Sequence, residues 1–491
     1  MPTSAILQEL GLTTILHAAR DIHLLLLSKF LRMFAYGAST LILAVYFSAL
    51  GHSDEKIGLF MTLTLLGDVI ISLFLTVVAD SLGRRRILVL SCGLMMVSGV
   101  VFALTDNYYI LLVAAIVGVI SPSGNEIGPF RAVEESTLAH LSSPATRSDV
   151  FAWYVVVGTL GAAGGSLGAG WVVQVLGERE GWTGVEAYRA VFWGYAVVGF
   201  VKGCVAMGLG EGCEPARVPE VDEERRPLLG DGAATMGPTT TSPAATTPTS
   251  NPPPPDRKGI FSHLSPATLT LLLKISLIFS IDSLASGMVP TSLVAYFLDT
   301  KFQLPKSQLG SILSTASFTA SLGNIAASSI SKRIGLVPTM VFTHLPSAIF
   351  LALFPFPSSI AVTLVFLFAR ASLASMDQAP RTTFLSIIIL PAERTAVMGI
   401  VNTVKTCAQS GGPVITGYLA ANGRFWVAFV VAGVLKASYD LGMLGMFLGV
   451  KGREEEVVRE TSGETVGEEE EEEVRVEVDV DGDAGVERRA E

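Results

Sequence analysis

The chain has 491 residues, of which 50% are hydrophobic and only 16% charged. Soluble domains carry about 25% charged residues and disperse their apolar ones at amphipathic periods, so a soluble globular protein is excluded. The formal net charge of −10 is concentrated in the acidic tail around residues 463–487, which reads as a solvated, disordered segment and says little about partners.

In chain order, residues 1–23 form a cytoplasmic N-terminus without the basic region, apolar core and cleavage site of a signal peptide. Apolar runs near 20 residues long follow, each enough to cross a hydrocarbon core about 30 Å thick. Helical spans are predicted at about 24–49, 57–79, 86–105, 109–130, 149–175 and 187–209. A Thr-, Ser- and Pro-rich segment, 210–267, has almost nothing to bury and reads as a flexible connector. Within it Glu224-Arg-Arg-Pro-Leu228-Leu229 is similar to the acidic dileucine sorting signals of lysosomal and vacuolar membrane proteins, which receptors read as addresses. Further spans are predicted at about 268–298, 307–330, 336–355, 358–380, 395–420 and 425–449, before the tail at 450–491. The expected fold is an all-α polytopic membrane protein, twelve helices in two six-helix halves, 24–209 and 268–449, around a central cavity.

Lys and Arg in short loops concentrate on the cytoplasmic side. Loops on the side of the N-terminus are assigned Arg84, Arg85, Arg86, Arg131, Arg147, Lys332, Arg333, Arg381 and Arg394, against Lys56, Arg179, Lys301, Lys306 and Arg424 opposite. Both termini and the linker are therefore expected in the cytoplasm, and the plasma and vacuolar membranes are both compatible.

The two halves repeat. Pro144-Ala-Thr-Arg147 recurs as Pro391-Ala-Glu-Arg394, and each arginine is followed 17 residues later by a Gly-Gly pair, Gly164-Gly165 and Gly411-Gly412. Gly170 and Gly417 each lie 23 residues past their arginine, and Gly58 to Gly83 and Gly310 to Gly335 both span 25 residues. Ala44-Val-Tyr-Phe47 echoes Val294-Ala-Tyr-Phe297. Such matches, all in one chain order, are the mark of a parallel-repeat transporter architecture with substrate sites between its halves.

On these residues the chain resembles the major facilitator superfamily. The family's loop between helices 2 and 3, roughly G-x-L-x-D-R-x-G-R-R/K, matches here at Asp80, Gly83 and the run Arg84-Arg85-Arg86, while Thr76 and Ser81 depart from it. The resemblance implies a cytoplasmic gate in which Asp80 caps the start of helix 11 and the arginines, with Arg147 and Arg394, latch that side shut. A carboxylate at a helix N-terminus gains from the helix dipole, and Gly83 allows the tight turn. The resemblance also implies that helices 1, 4, 7 and 10 line the cavity.

A charge within a span costs at least about 2.5–3.5 kcal/mol on insertion scales, so each asks for a role. Helix 1 carries Lys29 and Arg32, helix 2 Asp68, helix 4 Glu126, helix 7 Lys274 and Asp282, and helix 10 Arg370 and Asp377. Lys405 lies on helix 11. Arg32 and Asp282 each precede their repeat tyrosine by 14 residues and are expected to face each other across the cavity; Glu126 and Asp377 each precede a proline by three. The set Arg32, Asp68, Glu126, Asp282, Arg370 and Asp377 is assigned to substrate or proton coupling, because a desolvated acid beside a movable cation exchanges protons. Lys29 and Lys274 have the alternative of snorkelling to the interface. Lys202, Lys436 and Asp440 fall on outer helices, the last two spaced to pair with each other. The stretch SPSGNE at 121–126 is expected to loosen helix 4.

Gly161 and Gly165 in helix 5 and Gly411, Gly412 and Pro413 in helix 11 are spaced for close helix packing. They resemble, in part and displaced, the superfamily's antiporter motif. The four cysteines and six histidines show no metal, disulfide or nucleophile pattern, and no phosphate-binding G-x-x-x-x-G-K-S/T loop occurs. No enzyme, cofactor, metal or nucleic-acid partner is implied. The expectation is a monomeric secondary active transporter of a small organic molecule, coupled to protons and leaning to export by antiport. Proton-symport import and a non-transporting receptor or scaffold are left open.

Overall fold

The computed structural model describes residues 12–118, 120, 129–143, 146–214, 266–389 and 394–447. After a short helix at Leu12–Leu16, the first half contains α1 (Arg20–Ala49), α2 (Asp54–Leu82), α3 (Arg84–Leu104), α4 (Tyr108–Val117), α5 (Pro129–Leu141), α6 (Arg147–Gly177) and α7 (Gly184–Met207). The second contains α8 (Pro266–Met288), α9 (Thr291–Phe302), α10 (Lys306–Ile334), α11 (Leu336–Leu353), α12 (Ile360–Ser375), α13 (Gln378–Ile388), α14 (Arg394–Ser410), α15 (Gly412–Ala421) and α16 (Phe425–Phe447). Among the described residues no strand occurs, and seven helical stretches are long and apolar enough to cross a membrane, with shorter apolar helices at Tyr108–Val117 and Ile360–Ser375. Paired helices complete the fourth, seventh, tenth and eleventh spans, giving twelve in two halves.

Local chemistry sets the ends and breaks. Asn107 caps α4 by accepting from the backbone N–H of Tyr109 and Ile110, and Thr183 and Glu186 form a capping box on α7. Pro290, with no N–H to give, ends α8 and sits extended at the entry to α9. Pro413 occupies the first turn of α15, where the missing N–H costs nothing. The polar stretch around Glu134 was expected as a loop; it is instead helix α5, which continues the fourth span toward the linker face. SPSGNE, including Glu126, lies outside the described residues, as do the sorting signal at Glu224, Leu228 and Leu229 and the tail.

Within each half, the fifth or eleventh span lies backbone-close on the first or seventh. A Cβ on Gly161 would stand 2.6 Å from the Phe30 carbonyl oxygen, and one on Gly165 would fall onto the Phe34 carbonyl. A Cβ on Gly412 would stand 2.6 Å from the Gly287 Cα. Gly411 has ordinary room, with its nearest neighbour at 3.5 Å; it ends α14 rather than making the crossing.

The halves touch at the face away from the linker, and they do so through the repeat glycines. Gly58 of α2 meets Gly417 of α15, and Gly310 of α10 meets Gly170 of α6; added Cβ atoms at Gly58 and Gly310 would stand 2.9 and 3.1 Å from the partner Cα. The N–H of Val414 donates to Thr62 Oγ1 at 3.0 Å and that of Lys306 to Gln174 Oε1 at 3.0 Å, so each junction fills a helix-start donor of the other half. Tyr296 also donates to Asp54 Oδ1 at 2.7 Å. Trp182, Trp426 and Tyr109 stand exposed around this end, as interfacial aromatics do.

At the linker face, Gly83 adopts φ +89° between α2 and α3, and Gly335, its repeat partner, φ +87° between α10 and α11. Both turns need the left-handed freedom of glycine. Glu214, just after α7, accepts from the backbone N–H of Arg84 and Arg85 at 2.9 and 3.0 Å and so caps α3. Arg85 donates to the Met207 carbonyl at 2.5 Å, and Arg147 to the carbonyls of Ala139 and Ser142 at 2.9 and 3.3 Å, closing the end of α5. Arg86 is exposed. Asp80 and Arg394 belong to α2 and α14, but their side chains lie outside the described residues.

Candidate functional site

Among the described residues, each half buries a carboxylate with an arginine and a lysine at repeat-equivalent positions. In the first half Arg32 of α1 donates to Glu134 Oε2 at 2.7 Å, and Lys202 of α7 stands 3.8 Å from Oε1. Tyr154 and Ser28 also donate to this carboxylate, at 2.9 and 3.1 Å, and Glu134 is fully buried. In the second half Asp282 of α8 receives Arg381 of α13 at 3.0 Å and Lys436 of α16 at 2.7 Å. The correspondence is positional: Glu134 and Arg381 each lie 13 residues before Arg147 or Arg394. Lys202 and Lys436 each lie three residues past Gly199 or Gly433, the glycines where α7 crosses α3 and α16 crosses α11. The lysine is retained, while the acid and the arginine have changed helices.

Around Asp282 the second cluster is larger. Arg381 also pairs with Asp377 one turn earlier, and its guanidinium lies 5.2 and 5.1 Å from the ring centres of Phe279 and Tyr439. His344 of α11 stands between two acids, Nδ1 at 2.9 Å from Asp440 and Nε2 at 3.9 Å from Asp282. Lys405 of α14 approaches the other side, 5.5 Å from the Phe279 ring centre.

These contacts correct several expectations. Arg32 and Asp282 do not face each other across the cavity: each is neutralised inside its own half. Lys436 and Asp440 do not pair; Lys436 reaches Asp282 and Ser286, and Asp440 takes His344, because α16 packs against α8 and α11 and offers each charge a nearer partner. Arg131 and Arg381 are not loop residues. The first forms an i,i+4 pair with Glu135 at 2.7 Å within α5; the second is half-sunk among the aromatic rings just described. Lys29 does not snorkel but is buried with its ammonium 4.2 Å from the Tyr154 ring centre, whereas Lys274 is exposed.

Between the halves lies a cavity of about 370 Å³, running from Val289 and Val294 at its depth to Arg131, Glu135 and Gln378 toward the linker face. Besides α1, α5, α9 and α12, the fifth and eighth spans (α6 and α10) line it. Arg370 of α12 opens onto it, and its Nε has no hydrogen-bond partner. Asp68 of α2 does not line it; the side chain is buried with both oxygens unpartnered. Among the described residues no His, Cys, Asp and Glu group is arranged for a metal ion.

The sequence profile of the Major Facilitator Superfamily matches residues 25–273 and 275–476. A membrane protein of Saccharomyces cerevisiae, itself described as uncharacterized, is 36% identical over 449 residues, covering 88% of this chain and 95% of its own. Among solved structures the chain is similar to the xylose transporter XylE from E. coli in an inward open conformation, with a TM-score of 0.63 and 14% identity over 87% of this chain and 96% of that one. It is also similar to the nucleoside transporter NupG (TM-score 0.61, 14% identity, 88% and 100% covered). A bacterial homolog of the human lysosomal transporter Spinster, inward-facing, gives 0.59 and 15% identity over 86% and 94%. At these identities the structural likenesses speak for the fold.

Proposed function

Since the chain belongs to the major facilitator superfamily, we propose that it is a secondary active transporter, carrying a small organic molecule by alternating access and exchanging it for protons. The observation that carries this reading is the pair of buried charge clusters flanking the cavity between the halves. Buried charges incur a desolvation cost unless paired, and a scaffold without transport has no need of two such clusters at matched positions.

Asp282 is the proposed coupling carboxylate. Burial disfavours a carboxylate's charge and nearby cations restore it, so a cycle that separates the acid from its cations moves a proton. Arg381 and Lys436 come from two different helices, α13 and α16, and a shift of α8 against either changes the balance. His344, between Asp282 and Asp440, offers a relay. Asp68, buried and unpartnered, is the second candidate. The export direction is supported by the glycine crossings of α6 and α15, which resemble an antiporter motif and allow the halves to rock.

The linker face is assigned to the cytoplasm because of the basic turn at Arg84, Arg85 and Arg86, and the cavity then faces inward. Gly83, Arg84, Arg147 and the Glu214 cap belong to the proposed cytoplasmic gate, together with Asp80, Arg86 and Arg394. A vacuolar location follows if the dileucine signal at Glu224 is read.

The test is reconstitution in liposomes loaded with a pH-sensitive dye and offered pools of candidate substrates. Substrate-dependent proton movement should be abolished in Asp282→Asn and reduced in Asp68→Asn. Substrate flux with no proton movement removes the coupling and leaves a facilitator. Binding with no flux under any gradient overturns the transport reading in favour of a receptor.

A further inference from the structure

The central cavity contains a guanidinium that has no counter-charge among the described residues. Among the described lining residues the charged groups are Lys29, Arg131, Arg370 and Glu135. Arg131 and Glu135 pair with each other at 2.7 Å near the mouth, and Lys29 is stacked on Tyr154. Arg370, deeper on α12, receives no carboxylate from the described residues: its Nε is buried without a hydrogen-bond partner. The acids of the second half are committed elsewhere, Asp377 and Asp282 to Arg381 and Asp440 to His344. At this level of α12 Ser347 donates to the backbone carbonyl of Arg370 at 3.4 Å, leaving the guanidinium uninvolved.

An arginine is never deprotonated in a protein and presents a planar fork of N–H donors suited to carboxylate or phosphate. Leaving one unpaired within a membrane span is costly, and a ligand that brings the anion removes that cost. The walls nearby are apolar, with Val289, Val294, Leu313 and Leu367, while Thr291 and Ser317 add hydroxyls. A site of this kind takes an amphipathic molecule with its acid group at one end.

We propose that the transported molecule is a small organic anion, a carboxylate or phosphate monoester with an apolar body, whose acid group docks on Arg370. This deepens the transport reading above and rests on it only for the movement of the ligand; the binding stands alone. Arg370 is thereby a binding residue separate from the coupling cluster around Asp282, so that substrate and proton occupy different groups.

The experiment uses the full chain in lipid nanodiscs and four probes of one shape: benzoate, phenyl phosphate, neutral benzamide and cationic benzylamine. Thermal unfolding and equilibrium binding are read at constant ionic strength, and uptake is read in liposomes. Benzoate or phenyl phosphate should stabilise the protein saturably; Arg370→Ala should weaken the anion at least tenfold and Arg370→Lys by less. Benzoate against phenyl phosphate decides between carboxylate and phosphate. Lys274→Ala, at an exposed cation of α8 outside the cavity lining, reports whether any cation would do, and should leave anion binding within threefold. No stabilisation by either anion, equal response to benzamide and benzylamine, or anion binding unchanged in a folded Arg370→Ala overturns the proposal. Arg370-dependent anion binding without flux leaves it standing and sinks transport. Flux of neutral compounds that ignores Arg370 does the reverse.

Discussion

Arg32 and Asp282 hold the same place in the two halves with opposite charge, and each is neutralised by a helix of its own half. Arg32 takes Glu134 at 2.7 Å; Asp282 takes Arg381 at 3.0 Å and Lys436 at 2.7 Å. The Arg32–Glu134 bridge ties helices within one half and need not break as the halves rock, whereas a pair across the cavity would have to break in every cycle.

Glu134→Gln should therefore act as a stability mutation. It removes the carboxylate charge that Arg32 and Lys202 face, and removing one partner of a buried pair costs about 3–5 kcal/mol. The loss is read from the thermal midpoint in detergent. Replacing both Arg32 and Glu134 with methionine should cost less than Glu134→Gln alone; a double variant worse than the sum of the singles would argue that the pair is not an isolated unit.

Lys436→Met should separate stability from coupling. With Arg381 still 3.0 Å from Asp282, the fold is expected to persist. The pH dependence of proton-linked flux should shift toward that of a carboxylate with one cation fewer. An unchanged pH profile would take Lys436 out of the proposed coupling centre.

At the turn into α3, Gly83→Ala forces a side chain into φ +89° beside the Glu214 carboxylate, 3.1 Å from the new Cβ. The expected loss is about 1–3 kcal/mol from backbone strain. Glu214→Ala, which removes only the cap on α3, should cost about 0.5–2 kcal/mol. Thermal unfolding of both, alone and combined, measures whether they act through the same turn.

His52 provides a pH response on the face away from the linker. It lies in the turn between α1 and α2 against the rings of Phe47 and Tyr108, and its Nε2 has no partner. Burial lowers its pKa and Lys56 lowers it further, with Asp106 opposing. A base whose folded pKa lies below its unfolded value near 6.5 is protonated more readily when unfolded. Its contribution is thus complete above about pH 6.5 and is lost as pH falls through the folded pKa. His52→Gln should flatten that acid limb of a plot of thermal midpoint against pH; an identical limb in both proteins assigns it to other groups.

Much of this architecture was legible because membrane spans and repeats are written in long apolar runs and fixed glycine spacings. Gly58, Gly170, Gly310 and Gly417 serve as repeat markers in the sequence, and in the structure they pair at two close backbone junctions between the halves. What spacing does not reveal is which way a polar residue turns. Glu134 sits in RAVEESTLAHL, polar enough to pass for a loop, and so the acid that holds Arg32 was missed. Lys202, Lys436 and His344 lie on spans taken as peripheral or carry no motif. A cue was present for the two lysines, each three residues beyond a crossing glycine, but its meaning depends on knowing which helix lies across that glycine. Arg370 could be read as a buried charge from its position; that it has no counter-ion among the described residues is a fact of three-dimensional placement.

The glycine junctions also have a mechanical side. The two glycine junctions lie toward one end of helices such as α1, whose 30 residues correspond to an arm of about 45 Å. A tilt of about 10° around such a fulcrum carries the far end roughly 8 Å, more than the pitch of one helical turn. Leverage of this size lets a small slippage between two closely packed backbones open or shut a passage wide enough for a solute, with no Cβ at the glycine crossings in the way.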